Sequence, residues 1–192
     1  MIDMHSHIIP GVDDGSKSIE DTYNMLNEAK EAGFTDIILT SHYMTHYYEP
    51  KTEDLVLWKD KIQELINSKG LNVNLHSGME VYVSNSLDKL LNGNKLLTIE
   101  NSRYLLMELL INAPINNLDY IVFMLEALSI KIILAHPERY VYVHDNPKLI
   151  EEYIKKGMLM QCNFGSIIGQ YGLKSKHIIK TMLKKGQVHF LR

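Results

Sequence analysis

The sequence predicts an α/β fold whose parallel strands close, or nearly close, into a barrel. Three observations predict it: short apolar, β-rich runs alternate with longer segments of helical period from one end to the other, seven such strands can be counted, and a helix joins each to the next. Strands joined in this way pair in parallel through right-handed crossovers, and closure covers such a sheet economically. A doubly wound open sheet is the architectural alternative. At 192 residues the chain is long enough for one substantial core and short for two domains with a linker, so a single domain, 1–192, is expected.

Each element has its own signal. Met1–His5 is the first strand, followed by the turn Ile8-Ile9-Pro10-Gly11-Val12-Asp13-Asp14-Gly15. Ser18-x-x-Asp21 then opens a helix by the capping-box pattern, with Asp where Glu is usual, and Gly33 ends it after Ala32. Thr35–Thr40 is the second strand, Glu53–Ser68 a helix stopped by Gly70, and Asn72–Gly78 the third strand. Tyr104–Leu110, Lys131–Ala135, Met158–Cys162 and Val188–Leu191 complete the set, with helices at Asn117–Leu128, Asn146–Lys156 and Lys174–Lys185.

Composition excludes several classes. Twenty Lys and Arg against 23 Asp and Glu give a net charge of −3, so no global basic field draws the chain to nucleic acid or anionic membrane. Cys162 is the only cysteine, which leaves no intrachain disulfide, and the start MIDMHSH lacks the pattern of a signal peptide. No apolar run approaches the ~20 residues of a spanning helix. A cytoplasmic location without membrane insertion is expected.

The polar residues of interest fall where strands end. His5-Ser6-His7 follows strand one, Ser41-His42 strand two and Glu80 strand three, while Glu108 lies late in strand four and His136 follows strand five. The C-terminal rim of a parallel barrel is where such folds build active sites. In extended chain, residues i and i+2 face one side, so His5 and His7 can reach one ion together. Imidazole with carboxylate suits manganese, iron or zinc. Taken alone, each histidine has the plainer reading of a hydrogen-bonded structural residue. Glu108, inside Leu105-Leu106-Met107-Glu108-Leu109-Leu110, demands a positive partner, either a cation or a Lys or Arg. Five strand ends in succession favour metal. Of the other histidines, His46 lies in a loop, His76 within strand three facing away from the rim, and His144, His177 and His189 carry no expected chemistry.

With these residues in view, the sequence resembles the PHP (polymerase and histidinol phosphatase) superfamily, and within it the bacterial manganese-dependent protein-tyrosine phosphatases of capsule and exopolysaccharide operons. The likeness rests on Met1-Ile2-Asp3-Met4-His5-Ser6-His7-Ile8, Val12-Asp13-Asp14-Gly15, Thr40-Ser41-His42, Gly78-x-Glu80-Val81-Tyr82, Arg103-Tyr104-x-x-x-Glu108 and Ala135-His136-Pro137-Glu138-Arg139-Tyr140, in that order. The resemblance implies a distorted seven-stranded βα barrel with up to three ions, manganese first among them. It allots His5, His7 and Glu80 to one ion, Glu80, Glu108 and His136 to a second, and Asp14 with His42 to a third, and gives Arg139 the phosphate. It also implies a substrate, the phosphotyrosine-containing tail of a bacterial tyrosine kinase that regulates polysaccharide synthesis. The family's Asp-x-His motif after the last strand has no counterpart before Arg192, so on this likeness the pattern is C-terminally truncated and the third ion is the weakest held.

The residues fit hydrolysis without a covalent intermediate. Cys162-Asn163-Phe164-Gly165 lacks the arginine of a C-x5-R thiol loop, so Cys162 is read as packing. Tyr47, Tyr48, Tyr140 and Tyr142 are candidates for an aromatic wall beside a phosphotyrosine ring. Two other readings compete: a PHP phosphoesterase acting on a small phosphate monoester, and a catalytically weakened homologue that only binds its partner.

Overall fold

The computed structural model describes Met1–Arg192 and contains two compact units, Met1–Leu105 and Leu106–Arg192. In the first, β1 (Ile2–Ser6) leads through the glycine-rich turn to α1 (Ile19–Glu31), β2 (Asp36–Leu39), β3 (His42–Tyr43), α2 (Thr52–Ser68), β4 (Asn74–Ser77), β5 (Glu80–Tyr82) and α3 (Leu87–Asn92). The capping signal forms in part. Ser18 Oγ accepts the Asp21 N–H at 3.1 Å, while the Asp21 carboxylate reaches the Lys17 N–H, one residue beyond the cap. Gly33 and Gly70 follow α1 and α2 at φ 90° and 70°, where other residues are strained. Leu26, Ile37, Leu39, Ile62, Ile66 and Met79 are sealed in this unit's core.

β6 (Tyr104–Glu108) begins at the unit boundary. The second unit continues with α4 (Leu118–Ala127), β7 (Lys131–Ala135), α5 (Val141–Asp145), α6 (Leu149–Lys155), β8 (Leu159–Cys162), α7 (Phe164–Ile168), α8 (Gly172–Lys184) and β9 (Phe190–Leu191). β7, β8 and β9 pair in parallel, Ile133 opposite Leu159 and Gln161 opposite Phe190. Leu106, Met107, Leu125, Leu134, Ile179 and Met182 fill its interior.

Parallel α/β pairing is as expected, but the seven-stranded barrel is not: nine strands lie in sheets of three and six, and no closed barrel forms. The difference arises just after expected strands two and three, which form as β2 and β4 but are each followed by a further short strand, β3 or β5. β1, β2 and β4 make the three-stranded sheet, in register Ile37 with Leu75 and Leu39 with Ser77. At its end, hydroxyls displace the ladder: Thr40 Oγ1 accepts the Ser6 N–H at 2.9 Å and Ser6 Oγ donates to the Ile38 carbonyl at 2.7 Å. The chain then steps across Ser41 and across Gly78-Met79, and β3 pairs with β5 as a separate ladder, His42 opposite Glu80.

Candidate metal centre

The first unit gathers five of the predicted residues. Register partners in a parallel ladder point to one side, so pairing His42 with Glu80 puts imidazole beside carboxylate by backbone geometry alone. His5, at the end of β1, and His7, two residues on, share a side as expected, with their Nε2 atoms 3.1 Å apart. All three imidazoles converge on one oxygen. Glu80 Oε2 lies 2.9 Å from His5 Nε2, 3.1 Å from His7 Nε2 and 3.3 Å from His42 Nδ1. His5 and Glu80 are buried, His7 and His42 nearly so. Asp14 stands at the margin, 66% exposed, with Oδ1 3.7 Å from His42 Nε2.

Asp13 is the residue that sequence reasoning missed. Its Oδ2 takes the His7 Nδ1 proton at 2.9 Å and the His42 N–H at 2.9 Å, while Oδ1 accepts the Gly15 N–H. With Nδ1 so engaged, the neutral His7 ring presents the lone pair of Nε2 to its neighbours, the arrangement that fixes metal-ligating histidines. Of the doublet Asp13-Asp14, only Asp14 was expected to serve the site. The bond to the Gly15 N–H turns Asp13 inward and leaves Asp14 at the rim. The turn itself folds back on His7: Ser16 N–H donates to the His7 carbonyl at 3.0 Å, and a Cβ on Gly15 would strike that carbonyl and the His7 Cβ.

The donor set fits a divalent cation. A neutral imidazole carries one N–H. The His7 proton is spent on Asp13, so its Nε2 lone pair faces both a carboxylate oxygen and another imidazole nitrogen, which is repulsive unless a positive charge lies among them. A proton serves in part: burial opposes charging His7, but its hydrogen bonds to Asp13 and Glu80 prevail and lift it to about 9. Burial works against the Asp13 carboxylate too, yet the His7 bond holds it at about 2. Burial keeps His42 below its usual value, against the pull of Glu80. Within the first unit, two triads have ligand atoms mutually within 4.8 Å, His5 with His7 and Glu80, and His7 with Asp14 and His42. Nitrogen and oxygen donors without thiolate suit manganese, iron or zinc.

In the second unit β6 delivers Glu108 and β7 delivers His136, with His136 Nε2 3.8 Å from Glu108 Oε1. His136 takes a left-handed backbone, φ 33° and ψ 53°, and opens the short turn Pro137–Arg139. Arg139 does not pair with Glu138. The Glu138 carboxylate is fully buried and accepts the Asn163 N–H at 2.9 Å and the Ser166 hydroxyl at 2.7 Å. The Arg139 guanidinium instead lies over the Tyr171 ring, 4.4 Å from its centre. Tyr140, a candidate for the aromatic wall, is overturned: it is fully buried, donating to the Ala135 carbonyl at 2.8 Å and accepting the Leu109 N–H at 2.9 Å. Tyr47 is exposed, and Tyr48 stacks on His42 at 6.0 Å. Cys162 is buried as expected, and burial with the neighbouring Glu138 charge pushes its thiol up, away from reactive thiolate. His76 faces Asp36 at 3.0 Å, and His144 donates to the Glu138 carbonyl.

Parallel strands carrying buried histidines and carboxylates at their ends define an α/β protein with groups of side chains that could hold a metal ion. The chain belongs to the family described as capsular polysaccharide synthesis, CpsB/CapC, whose model matches residues 1–192. CapC of Staphylococcus aureus is 31% identical, over all of this chain and 75% of CapC. The tyrosine-protein phosphatase YwqE of Bacillus subtilis is 25% identical, over all of this chain and 75% of its own, and the tyrosine-protein phosphatase CpsB of Streptococcus pneumoniae is 29% identical, over 85% and 67%. A solved structure from work on YwqE and CpsB as metal-dependent tyrosine phosphatases superposes with a TM-score of 0.93 at 24% identity, covering all of this chain and 77% of that one, which establishes the shared fold.

Proposed function

We propose that this chain is a metal-dependent phosphatase acting on phosphotyrosine in protein, with the tail of a bacterial tyrosine kinase of capsular or exopolysaccharide synthesis as substrate. The observation that carries the reading is the convergence of three imidazoles on Glu80 Oε2, in a chain of the CpsB/CapC family. His5, His7, Asp14, His42, Glu80, Glu108 and His136 are the ligands, manganese is the ion, and both compact units serve one catalytic domain. Divalent cations bound by these residues supply Lewis acidity and a nucleophilic water at neutral pH. The chain's own part is to hold and orient. Asp13 locks the His7 tautomer so that Nε2 faces the ions. Arg139 offers paired N–H donors to the non-bridging phosphate oxygens as charge spreads in the transition state. The protonated, buried Cys162 leaves no thiolate for a covalent route, which supports direct attack by water.

The test is hydrolysis of a phosphotyrosyl peptide with manganese, alongside bound metal per chain by elemental analysis. His5→Ala and His136→Ala are expected to lose metal and to lower turnover by 100-fold or more, roughly the scale of lost ligation. Equal activity of His136→Ala and the unaltered chain removes the proposal.

A further inference from the structure

We propose that helices α7 and α8 form the docking surface for the polypeptide on either side of the phosphotyrosine, and that they select an acidic stretch of chain; this rests on the phosphatase reading above. The surface combines two features that solvent alone does not explain. The first is apolar exposure. Leu173 is 83% exposed, Ile168 63%, Phe164 55% and Tyr171 39%, all within ten residues of sequence. Grouped large apolar side chains at a protein surface mark interaction sites.

The second feature is charge. All six charged residues after Tyr171 are basic, in a chain of net charge −3. Helical period sorts them. Ser175, Ile178, Ile179 and Met182 pack inward, which turns Leu173, His177, Lys180 and Lys184 directly outward at i, i+4, i+7 and i+11. Lys185 has a partner, Glu151 at 2.8 Å. Lys176 leans to the α7 end, its Nζ 3.4 Å from the Ile168 carbonyl, and so brings charge to the edge of the apolar patch. An anionic ligand is drawn here by a field the rest of the chain does not provide.

Position ties this surface to the reaction. Tyr171 joins α7 to α8 and carries the Arg139 guanidinium on its ring at 4.4 Å. A phosphotyrosine held by Arg139 therefore has its neighbouring residues beside Tyr171, with Ile168 and Leu173 next along the surface. A recess of about 230 Å³ beside Leu173, lined by His144, Lys174, His177 and Ile178, lies on the same helix. The mixture of aliphatic with aromatic side chains fits peptide side chains, whereas a single-stranded nucleic acid calls for successive stacking rings. The occupant is therefore an acidic peptide.

The experiment compares the unaltered chain with the triple variant Lys176→Glu, Lys180→Glu, Lys184→Glu, and separately with Leu173→Ser, all loaded with manganese. Three substrates are used: a phosphotyrosyl peptide with acidic flanks, one with basic flanks, and p-nitrophenyl phosphate. KM for the acidic peptide is expected to rise roughly tenfold in the triple variant and to rise with salt in the unaltered chain. Its kcat, and both constants for p-nitrophenyl phosphate, stay as they were. An unchanged KM for the acidic peptide overturns the docking surface, as does an equal loss on p-nitrophenyl phosphate. So does a single-stranded oligonucleotide that competes as well as the acidic peptide. If the unaltered chain hydrolyses no phosphotyrosine, the phosphatase reading fails by itself. Fluorescence anisotropy with a labelled acidic peptide bearing a non-hydrolysable phosphotyrosine analogue then decides: binding weakened by the triple variant sustains the surface, and absent or unaltered binding refutes it.

Discussion

Asp13 has three acceptor contacts, and two of them concern residues that bind the ion cluster in our proposal, the His7 Nδ1 proton and the His42 N–H. Asp13→Ala frees His7 to rotate and to change tautomer, so metal affinity is expected to fall about 10- to 100-fold, as a chelator competition would measure, while the fold persists. A different outcome is expected for Tyr140, which sequence spacing placed beside substrate and which burial places in the second unit's core. Tyr140→Phe strands the Leu109 N–H and the Ala135 carbonyl, and denaturant unfolding should register a loss of about 1–3 kcal/mol. The two residues show what was legible. Histidines and carboxylates at strand ends stand out because their chemistry is rare in such positions. A tyrosine hydroxyl serves a core as readily as a surface, and only its partners tell which.

At the scale of elements, most strands and helices were readable because their apolar periods are regular and Gly33 and Gly70 punctuate them. The departure lies after Thr40 and after Gly78, where the short strands β3 and β5 follow expected strands two and three and join the six-stranded sheet, and no closed barrel forms. The glycine-rich turn after β1 is governed by close approach. Gly15→Ala places a methyl group into the His7 carbonyl and Cβ, both part of rigid structure, so the turn must move with the ligand it packs on. Metal content and turnover are expected to fall together in this variant, whereas circular dichroism should still report α1 and α2.

For the molecule as a whole, no helix is long and apolar enough to cross a membrane. Its acid limb of stability has a defined contributor. Hydrogen bonds from His76, Thr35 and Asn74 hold the Asp36 carboxyl at about 2, below its usual 3.8. A carboxyl depressed by folding stabilises the native state above its unfolded value and loses that contribution as pH falls through the folded one. Stability should therefore decline between pH 3.8 and about 2, and Asp36→Asn should flatten that part of the profile in thermal melts taken across it. Because the group faces solvent, added salt should shrink the effect.

His136 stands in the left-handed region immediately before a proline, a conformation that a side chain with a Cβ adopts at a cost. Glycine there would relax the main chain and forfeit the imidazole. Selection for heat resistance alone would thus drift toward glycine at this position, while selection for catalysis would keep histidine, and a library screened both ways should diverge at this codon.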